Sequence, residues 1–364
     1  MTSDAPTWSA PGRVNLIGEH LDYHGGPVLP IAIDRRTHVR ASTRADDRVV
    51  VHSDLADEPV EFGTGTKPGE VEGWAGYVAG TVWSLREAGV QVPGLDLGIR
   101  SDVPLGAGLS SSAALECSVA IAILDLAGAP MEQVEMALLA QRAENEYVGV
   151  PSGAMDQLAS SCGVAGHALL IDTSGPTVQP VPAKWTDAGL SLVVIDTAAA
   201  HELSDGGYAT RRNESEAAGR TLGLDLLATA SAEDLPRLDD DVQLRRARHV
   251  VTETARVHAT VDAMAAGEWV RVGELFSASH VSLRDDYEVS VEELDVAVDS
   301  AVSAGALGAR MTGGGFGGSV IALVPDDRVD AVVRAVEAAF AAKGFAAPTG
   351  FVVTPSAGAR RDPG

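Results

Sequence analysis

The chain has 364 residues, 45% of them hydrophobic, with 27 Lys and Arg against 51 Asp and Glu and a formal net charge of −24. That length exceeds what one core usually organises, so two domains are expected, and the acidity argues against nucleic acid or an anionic membrane surface as the main partner. Two cysteines make no disulfide framework, and the start, MTSDAPTWSAPGRV, lacks the basic region and apolar run of a secretory signal, so a reducing, cytoplasmic setting is expected.

Residues 11–17 alternate apolar side chains and read as a strand, which runs into a polar loop, GEHLDYHGG, over 18–26. β-rich runs follow at 28–33, 37–42 and 48–51, separated by turn or charged residues, and a Gly-, Pro- and Glu-bearing loop spans 63–73. Trp74, Val78, Val82 and Leu85 stand at helical spacing and predict a helix over 74–88, with Gly89 in the C-cap position. Residues 95–99 alternate as a strand and deliver the chain to PLGAGLSSSAALE (104–116).

The helix after that stretch, about 111–126, is apolar nearly all round, as a core helix is. Glu116 and Asp125 interrupt it, so no apolar run reaches membrane-spanning length. A more amphipathic helix is expected over 131–147 and a short one over 154–161. Strands at 168–171 and 190–195 precede charged, Ala- and Arg-rich helices from 210 to about 302, with a polar break near 235–241. A second glycine cluster, TGGGFGG (312–318), is followed by a strand at 319–324, a helix at 328–342 and a strand at 350–353. The change of character near 185–205 divides the chain into 1–190 and 191–364.

Gly106 and Gly108 let a backbone approach a ligand and take positive φ. A helix opening directly afterwards points unpaired amides and its positive dipole end at whatever sits there. A phosphate suits that geometry; a Ser-capped helix after a tight turn is the alternative. No G-x-x-x-x-G-K-[ST] occurs and the lysines are only Lys67, Lys184 and Lys343, which argues against a Walker-type site. H-R-D and D-F-G are absent, which removes the protein-kinase plan, and TGGGFGG lacks the context of a nicotinamide site.

Phosphoryl transfer without a phosphate lysine needs amides and a metal on the phosphates, a cation for developing charge, and a base for the attacking hydroxyl. Ser112 with Glu144 makes a reasonable Mg²⁺ pair, because Mg²⁺ takes few protein ligands; otherwise Glu144 is a solvated helix acid. Asp156, in PSGAMDQ, is either a first-turn acid favoured by the helix dipole or the carboxylate that takes the proton of a substrate hydroxyl. Arg13 is either a surface cation or a fixed charge reaching inward beside the transferring group. The GEHLDYH loop sets Glu19, His20, Asp22 and His24 within a few residues. His-x-Asp-x-His on one strand face would suit a metal, and the same donors and acceptors suit a polyhydroxylated ligand such as a sugar.

Together these motifs resemble a known family. APGRVNLIGEHLDYHGGPVLP resembles the N-terminal signature of galactokinases, while PLGAGLSSSAALE and MTGGGFGGS are similar to the second and third motifs of the GHMP kinase superfamily. PSGAMDQ and SLRDDYEVSVEELD extend the resemblance over nearly the whole chain. What the resemblance implies is a two-domain α/β (α+β) fold of mixed sheets with helices, with the active site in the interdomain cleft. It also implies transfer of the γ-phosphate of ATP to the anomeric hydroxyl of α-D-galactose, with Mg²⁺. By motif match, Asp156 is similar to the family's catalytic base and Arg13 to its charge-stabilising arginine. Glu19, His20, Asp22, Gly153 and Tyr208 (in GGYATRR) correspond to sugar-contacting positions. Gly106, Ala107, Gly108, Leu109, Ser110, Ser111 and Ser112 match the phosphate loop, with Ser112 and Glu144 in the Mg²⁺ positions.

No motif marks the adenine pocket. The partners implied are galactose and ATP, with no nucleic acid or membrane, in a monomer or weak homo-oligomer. Galactokinases usually carry Thr and Asn where this chain has Leu21 and His24, and N-acetylgalactosamine kinases carry a bulky apolar residue at the first. A kinase for N-acetylgalactosamine or another hexose is therefore the runner-up. A galactose- and ATP-binding sensor without catalysis is opposed by the intact GLSSSAA, Asp156 and Arg13.

Overall fold

The structure is a computed structural model that describes residues 6–199 and 204–363; the first five residues, the end of the expected boundary region at 200–203, and the side chains of 204 and 205 lie outside the described residues. In chain order the strands are β1 (Thr7–Asn15), β2 (Pro27–Val28), β3 (Pro30–Arg44), β4 (Arg48–Ser53), β5 (Val60–Gly63), β6 (Gly94–Ser101), β7 (His167–Asp172), β8 (Thr177–Pro182), β9 (Leu190–Asp196), β10 (Gly308–Thr312), β11 (Ser319–Pro325), β12 (Thr349–Val353) and β13 (Arg360–Arg361). The helices are α1 (Trp74–Glu87), α2 (Ser111–Ala127), α3 (Gln133–Arg142), α4 (Met155–Cys162), α5 (Ser204–Leu222), α6 (Asp241–Ala266), α7 (Trp269–Ser282), α8 (Glu292–Ser303) and α9 (Val329–Lys343).

Three sheets result, in the orders β13-β1-β3-β6-β4-β5, β10-β11-β9-β12 and β2-β7-β8. All pairings are antiparallel except β4 with β6. The helix that follows the serine stretch, α2, packs on β1 and β3 and against α1, α3 and α4, which is why it can be apolar on nearly every face. Among the described residues no helix is long and apolar enough to cross a membrane. The fold class is the mixed α and β architecture that the resemblance implied.

Several element boundaries differ from the periodicity. Charged residues between 33 and 37 suggested a break, but β3 runs straight through them. Arg36 is buried there and donates to Ser9 Oγ, Ser9 O, Ala357 O and Gly358 O, so its charge and donors are satisfied inside the sheet. β8 was not among the expected strands; it carries Pro180 and Pro182 and lies at a sheet edge, where a missing N–H costs no ladder bond. β5 is a second short edge strand. The helix expected over 131–147 begins at Gln133 and loosens after Arg142 into a π-turn over Ala143–Val148. A second π-turn covers Leu283–Tyr287, inside SLRDDYEVS. Each adds a residue to the turn and rotates the side chains after it.

Candidate active site

The first strand is bent where it matters. β1 and β3 change register between Pro11 and Arg13, a bulge centred on Gly12. A Cβ at Gly12 would lie 2.6 Å from the carbonyl oxygen of Leu109, so glycine is what lets the serine loop press against the strand. Beyond the bulge the Arg13 side chain turns inward and is 5% exposed. Its Nε donates to Asp156 Oδ1 at 2.8 Å, its Nη2 to Asp156 Oδ2 at 2.7 Å, and its Nη1 to Gly108 O at 2.6 Å. This is the bidentate fork that a guanidinium makes with a carboxylate.

The serine loop is held from several sides. Gly106 and Gly108 both take φ of 72°, and no atom stands within 4 Å of where a Cβ would project at Gly106. Ala107 O accepts from Ser319 Oγ and Leu109 O from Arg13 N–H, while the Ala107 and Leu109 side chains are buried. Those two residues therefore have only backbone to offer a ligand. Ser110 precedes α2 with φ 57° and makes no capping bond to the helix. Its hydroxyl instead donates to Asp156 Oδ2 at 2.5 Å. The Ser-capped turn is thereby excluded for Ser110, and the first-turn amides of α2 keep the unpaired character expected at a helix start.

Glu144 is not a solvated helix acid. The π-turn carries it inward, where it is 7% exposed and accepts from Ser152 Oγ at 3.0 Å and Gln157 Nε2 at 2.7 Å. Burial and the Asp156 charge raise its pKa, while hydrogen bonds from Gln157, Ser152 and Ser112 act the other way. A serine hydroxyl against a buried carboxylate, in the first turn of a helix that follows a glycine loop, is a donor set that fits Mg²⁺. Among the described residues there is no group of three or more His, Cys, Asp or Glu side chains arranged to hold a metal ion. The His-x-Asp-x-His reading fails for a plain reason: residues 18–26 form turns, so alternate residues share no face, and His24 Nε2 is committed to Ser215 Oγ at 2.7 Å.

Two cavities meet at the Arg13–Asp156 pair. One, of about 580 Å³, is lined by Glu19, His20, Asp22, Gly153 and Tyr208 together with Thr312 to Gly317. The other, of about 570 Å³, is lined by Gly106 and Gly108 to Ser112 and by Leu55, Trp74, Tyr77, Ile99, Leu105 and Leu115. Arg13, Gly108, Asp156 and Gly314 face both. The residues expected to contact a sugar thus share one cavity, and the expected phosphate loop, Ala107 apart, lines its neighbour. The apolar end of the second cavity had no motif to reveal it. The structure marks it with two large apolar side chains left in water, Leu55 at 61% exposure and Leu105 at 64%.

Within the first cavity the environments diverge. Glu19 is 1% exposed; its Oε1 accepts from Gly313 N–H at 2.7 Å, and its Oε2 accepts from Arg310 Nη2 at 3.0 Å and from Asn15 Nδ2. Burial raises its pKa against the opposing Arg310 charge. Arg310, wholly buried on β10, also donates to the carbonyls of Asn15 and Leu16 and to Ser279 Oγ. The Glu19–Arg310 pair therefore stitches the GEHLDYH loop to the strand entering TGGGFGG, a link no local motif could announce. Asp22 is partly accessible at the cavity wall, and burial together with the nearby Asp156 charge pushes its pKa up to about 7. A Cβ at Gly153 would lie 1.8 Å from Asp22 Oδ2, so the absence of a side chain there is what seats the Asp22 carboxylate. The His20 ring lies 5.5 Å from that of Tyr208, whose hydroxyl is held well above its ordinary pKa by burial and Asp22.

The two departures from the galactokinase signature lie off the cavity. Leu21 is fully buried, with its Cβ 2.9 Å from the place a Cβ would take on Gly26, and it lines neither cavity. His24 is 3% exposed and bonded to α5 through Ser215.

Comparisons with known proteins agree with this geometry. Three family models match the chain: the galactokinase galactose-binding signature over residues 2–43, the N-terminal domain of GHMP kinases over 76–164 and the C-terminal domain of GHMP kinases over 260–342. A galactokinase of Streptomyces coelicolor is 47% identical over 361 residues, covering 97% of this chain and 93% of that protein. A galactokinase of Mycobacterium tuberculosis is 46% identical, covering 94% of this chain and 95% of its own length. The crystal structure of Lactococcus lactis galactokinase complexed with galactose superposes with a TM-score of 0.94 at 35% identity, covering 99% of this chain and 96% of that one. A mevalonate kinase of Methanococcus jannaschii shares the fold at 17% identity, with a TM-score of 0.72.

Proposed function

The chain belongs to the galactokinase family of GHMP kinases, and from that premise we propose how its residues move the γ-phosphate of ATP to the anomeric hydroxyl of galactose. It is an ATP-dependent galactose kinase. The observation that carries the assignment of roles is the Arg13–Asp156 pair standing where the two cavities meet. The cavity of Asp22 and Tyr208 takes the sugar, and the cavity of the serine loop takes the nucleotide, with its apolar end around Trp74, Ile99 and Leu115 receiving the base.

Asp156 is the base. Its two oxygens offer about four lone-pair directions. Arg13 and Ser110 occupy three of them, two on Oδ2 and one on Oδ1. The remaining direction on Oδ1 accepts the proton of the anomeric hydroxyl as that oxygen attacks phosphorus. Arg13 spends three of its five N–H donors on Asp156 and Gly108, and keeps its charge in place beside the transferring group without reorganising during the reaction.

The amides that open α2, with the open backbone at Gly106, cradle the phosphates. Ser112 and Glu144 are the residues that would hold Mg²⁺, which when bound neutralises phosphate charge. Asp22, near half-protonated at neutral pH, offers a donor or an acceptor to a sugar hydroxyl, and Gly153 keeps room for it. His20 and Tyr208 complete the wall. Glu19 serves this cavity by bracing its two glycine-bearing loops against each other.

The division into an N-terminal domain ending near residue 190 and a C-terminal domain after it is supported by the second sheet, whose strands all fall within 190–353. Two buried, unpaired cysteines support a cytoplasmic setting, and the charge of −24 supports small-molecule partners over nucleic acid. A monomer or weak homo-oligomer is the assembly proposed.

Incubation with Mg·ATP and a panel of hexoses tests the reading, with products identified by phosphorus NMR. Galactose 1-phosphate is the expected product. No phosphorylation of galactose, or a higher kcat/KM for N-acetylgalactosamine, would sink it.

A further inference from the structure

The GEHLDYH loop and the SLRDDYEVS segment are joined by a buried line of hydrogen bonds that ends at the sugar cavity. His20 Nδ1 lies 2.8 Å from the Tyr23 hydroxyl, which lies 2.9 Å from the Tyr287 hydroxyl. Tyr287 Oη is 3.0 Å from Ser215 Oγ, and His24 Nε2 reaches the same oxygen at 2.7 Å. Tyr287 and Ser215 are wholly buried. At the other end, His20 Nε2 is buried without a hydrogen-bond partner in the wall of the cavity. The His20 backbone takes a left-handed φ of 64°, a conformation that a residue with a Cβ keeps only where its surroundings hold it.

Ser215 sets the direction of the line. Its hydroxyl has one hydrogen, and two carbonyls of its own helix, Arg211 and Arg212, each stand 2.9 Å from its oxygen. Donating there, Ser215 accepts from Tyr287, Tyr287 accepts from Tyr23, and Tyr23 accepts from His20. Burial, with the His249 and His24 rings, holds the His20 ring neutral against the opposing pull of the Gly314 backbone, so the ring has one N–H to place.

We propose that the relay Tyr23–Tyr287–Ser215 holds His20 as the Nδ1–H tautomer, so that its Nε2 meets the sugar as a bare acceptor. Tyr287 and Ser215, neither of which lines the cavity, are then positioning residues for sugar recognition. A bare nitrogen at that wall pairs with a substrate hydroxyl and is left unpaired opposite a hydrogen or a methyl group, which is how a site rejects a deoxy sugar. The inference rests on reading this cavity as the galactose site.

Long-range proton–nitrogen correlation spectra of the full chain labelled with ¹⁵N-histidine read the tautomer directly, with His20 assigned from its loss in His20→Gln. Without substrate, Nδ1 is expected to be pyrrole-like and Nε2 pyridine-like, and galactose is expected to move the Nε2 resonance. Tyr287→Phe keeps the buried ring and removes only the hydroxyl. It is expected to relax the tautomer preference and raise the galactose KM about fivefold, near the worth of one net hydrogen bond, with the KM for ATP unchanged. A proton found on Nε2 of the unaltered protein, towards Gly314, overturns the relay; so does a Tyr287→Phe variant with the same tautomer and the same galactose KM. If that variant fails to fold, the spectrum of the unaltered protein still decides. The tautomer is measured without turnover, so failure of galactose to react would count against the kinase reading and not against the relay.

Discussion

Arg13 grips Asp156 through two parallel hydrogen bonds, Nε to Oδ1 at 2.8 Å and Nη2 to Oδ2 at 2.7 Å, at the wall shared by two cavities. The pair is built from a bulge in β1 and the first turn of α4, 143 residues apart. Asp156→Asn keeps the shape and removes the proposed base. Its kcat is expected to fall by roughly 10²–10⁴, the range of general-base catalysis, while galactose affinity by calorimetry stays close to that of the unaltered protein. A loss of turnover under about tenfold, worth ~1.4 kcal/mol, would remove Asp156 from the role.

Ser110 and Ser112 stand two residues apart, and the proposed mechanism gives them different duties. Ser110 donates to Asp156, so Ser110→Ala is expected to lower kcat about tenfold through the loss of one charge-assisted hydrogen bond, with the Mg²⁺ requirement unchanged. Ser112 faces Glu144, so Ser112→Ala is expected to raise the Mg²⁺ concentration for half-maximal activity. Magnesium titrations of both variants separate the two roles, and equal behaviour would refute the division.

Gly153 is the close approach that seats Asp22. A methyl group there would lie 2.3 Å from Asp22 Cγ, and the carboxylate would have to move. Forcing a methyl into packed surroundings typically costs about 1–3 kcal/mol. Gly153→Ala is therefore expected to raise the galactose KM about tenfold or more and to leave the KM for ATP little changed. A crystal structure with Asp22 unmoved, or kinetics with only ATP affected, would contradict this.

Asp22 also predicts a pH dependence. Its pKa is about 7 in the folded protein, above the ordinary value of 3.8 expected on unfolding. Between those values the folded chain holds the proton more tightly, so the Asp22 contribution to stability falls as pH rises and levels off above about 7. Asp22→Asn has no proton to lose. Relative to the unaltered protein it is expected to gain thermal stability on going from pH 5 to pH 8, as read by melting temperature in the absence of ligands. A difference independent of pH would show that Asp22 does not titrate in this range.

Much of the fold could be read locally, and the failures have local causes too. α1 and α2 begin as periodicity and glycine placement indicate, because helix starts and stops depend on neighbours in sequence. β8 and the middle of β3 were hidden because Pro180, Pro182 and Arg36 are unfavourable by composition and are accommodated only by an edge position or by distant carbonyl acceptors. The turn of α3 into a π-turn at Ala143 leaves no signature in the apolar spacing, yet it is what buries Glu144.

By itself, the order of residues determined where backbone must bend and where unpaired amides collect: Gly106 and Gly108, the start of α2, and the TGGGFGG cluster before a strand. Those are short-range properties, set by φ, ψ and the sterics of a missing Cβ. It also supplied the proposed chemical inventory, Arg13, Asp156, Ser112 and Glu144 among it. The tertiary structure alone decided how that inventory is shared. It turned Ser110 away from helix capping towards Asp156, joined Glu19 to Arg310 across 291 residues, and joined Tyr23 to Tyr287 across 264. Such pairings carry no local signal, because a buried polar group must find its partner wherever the packing of distant segments places one.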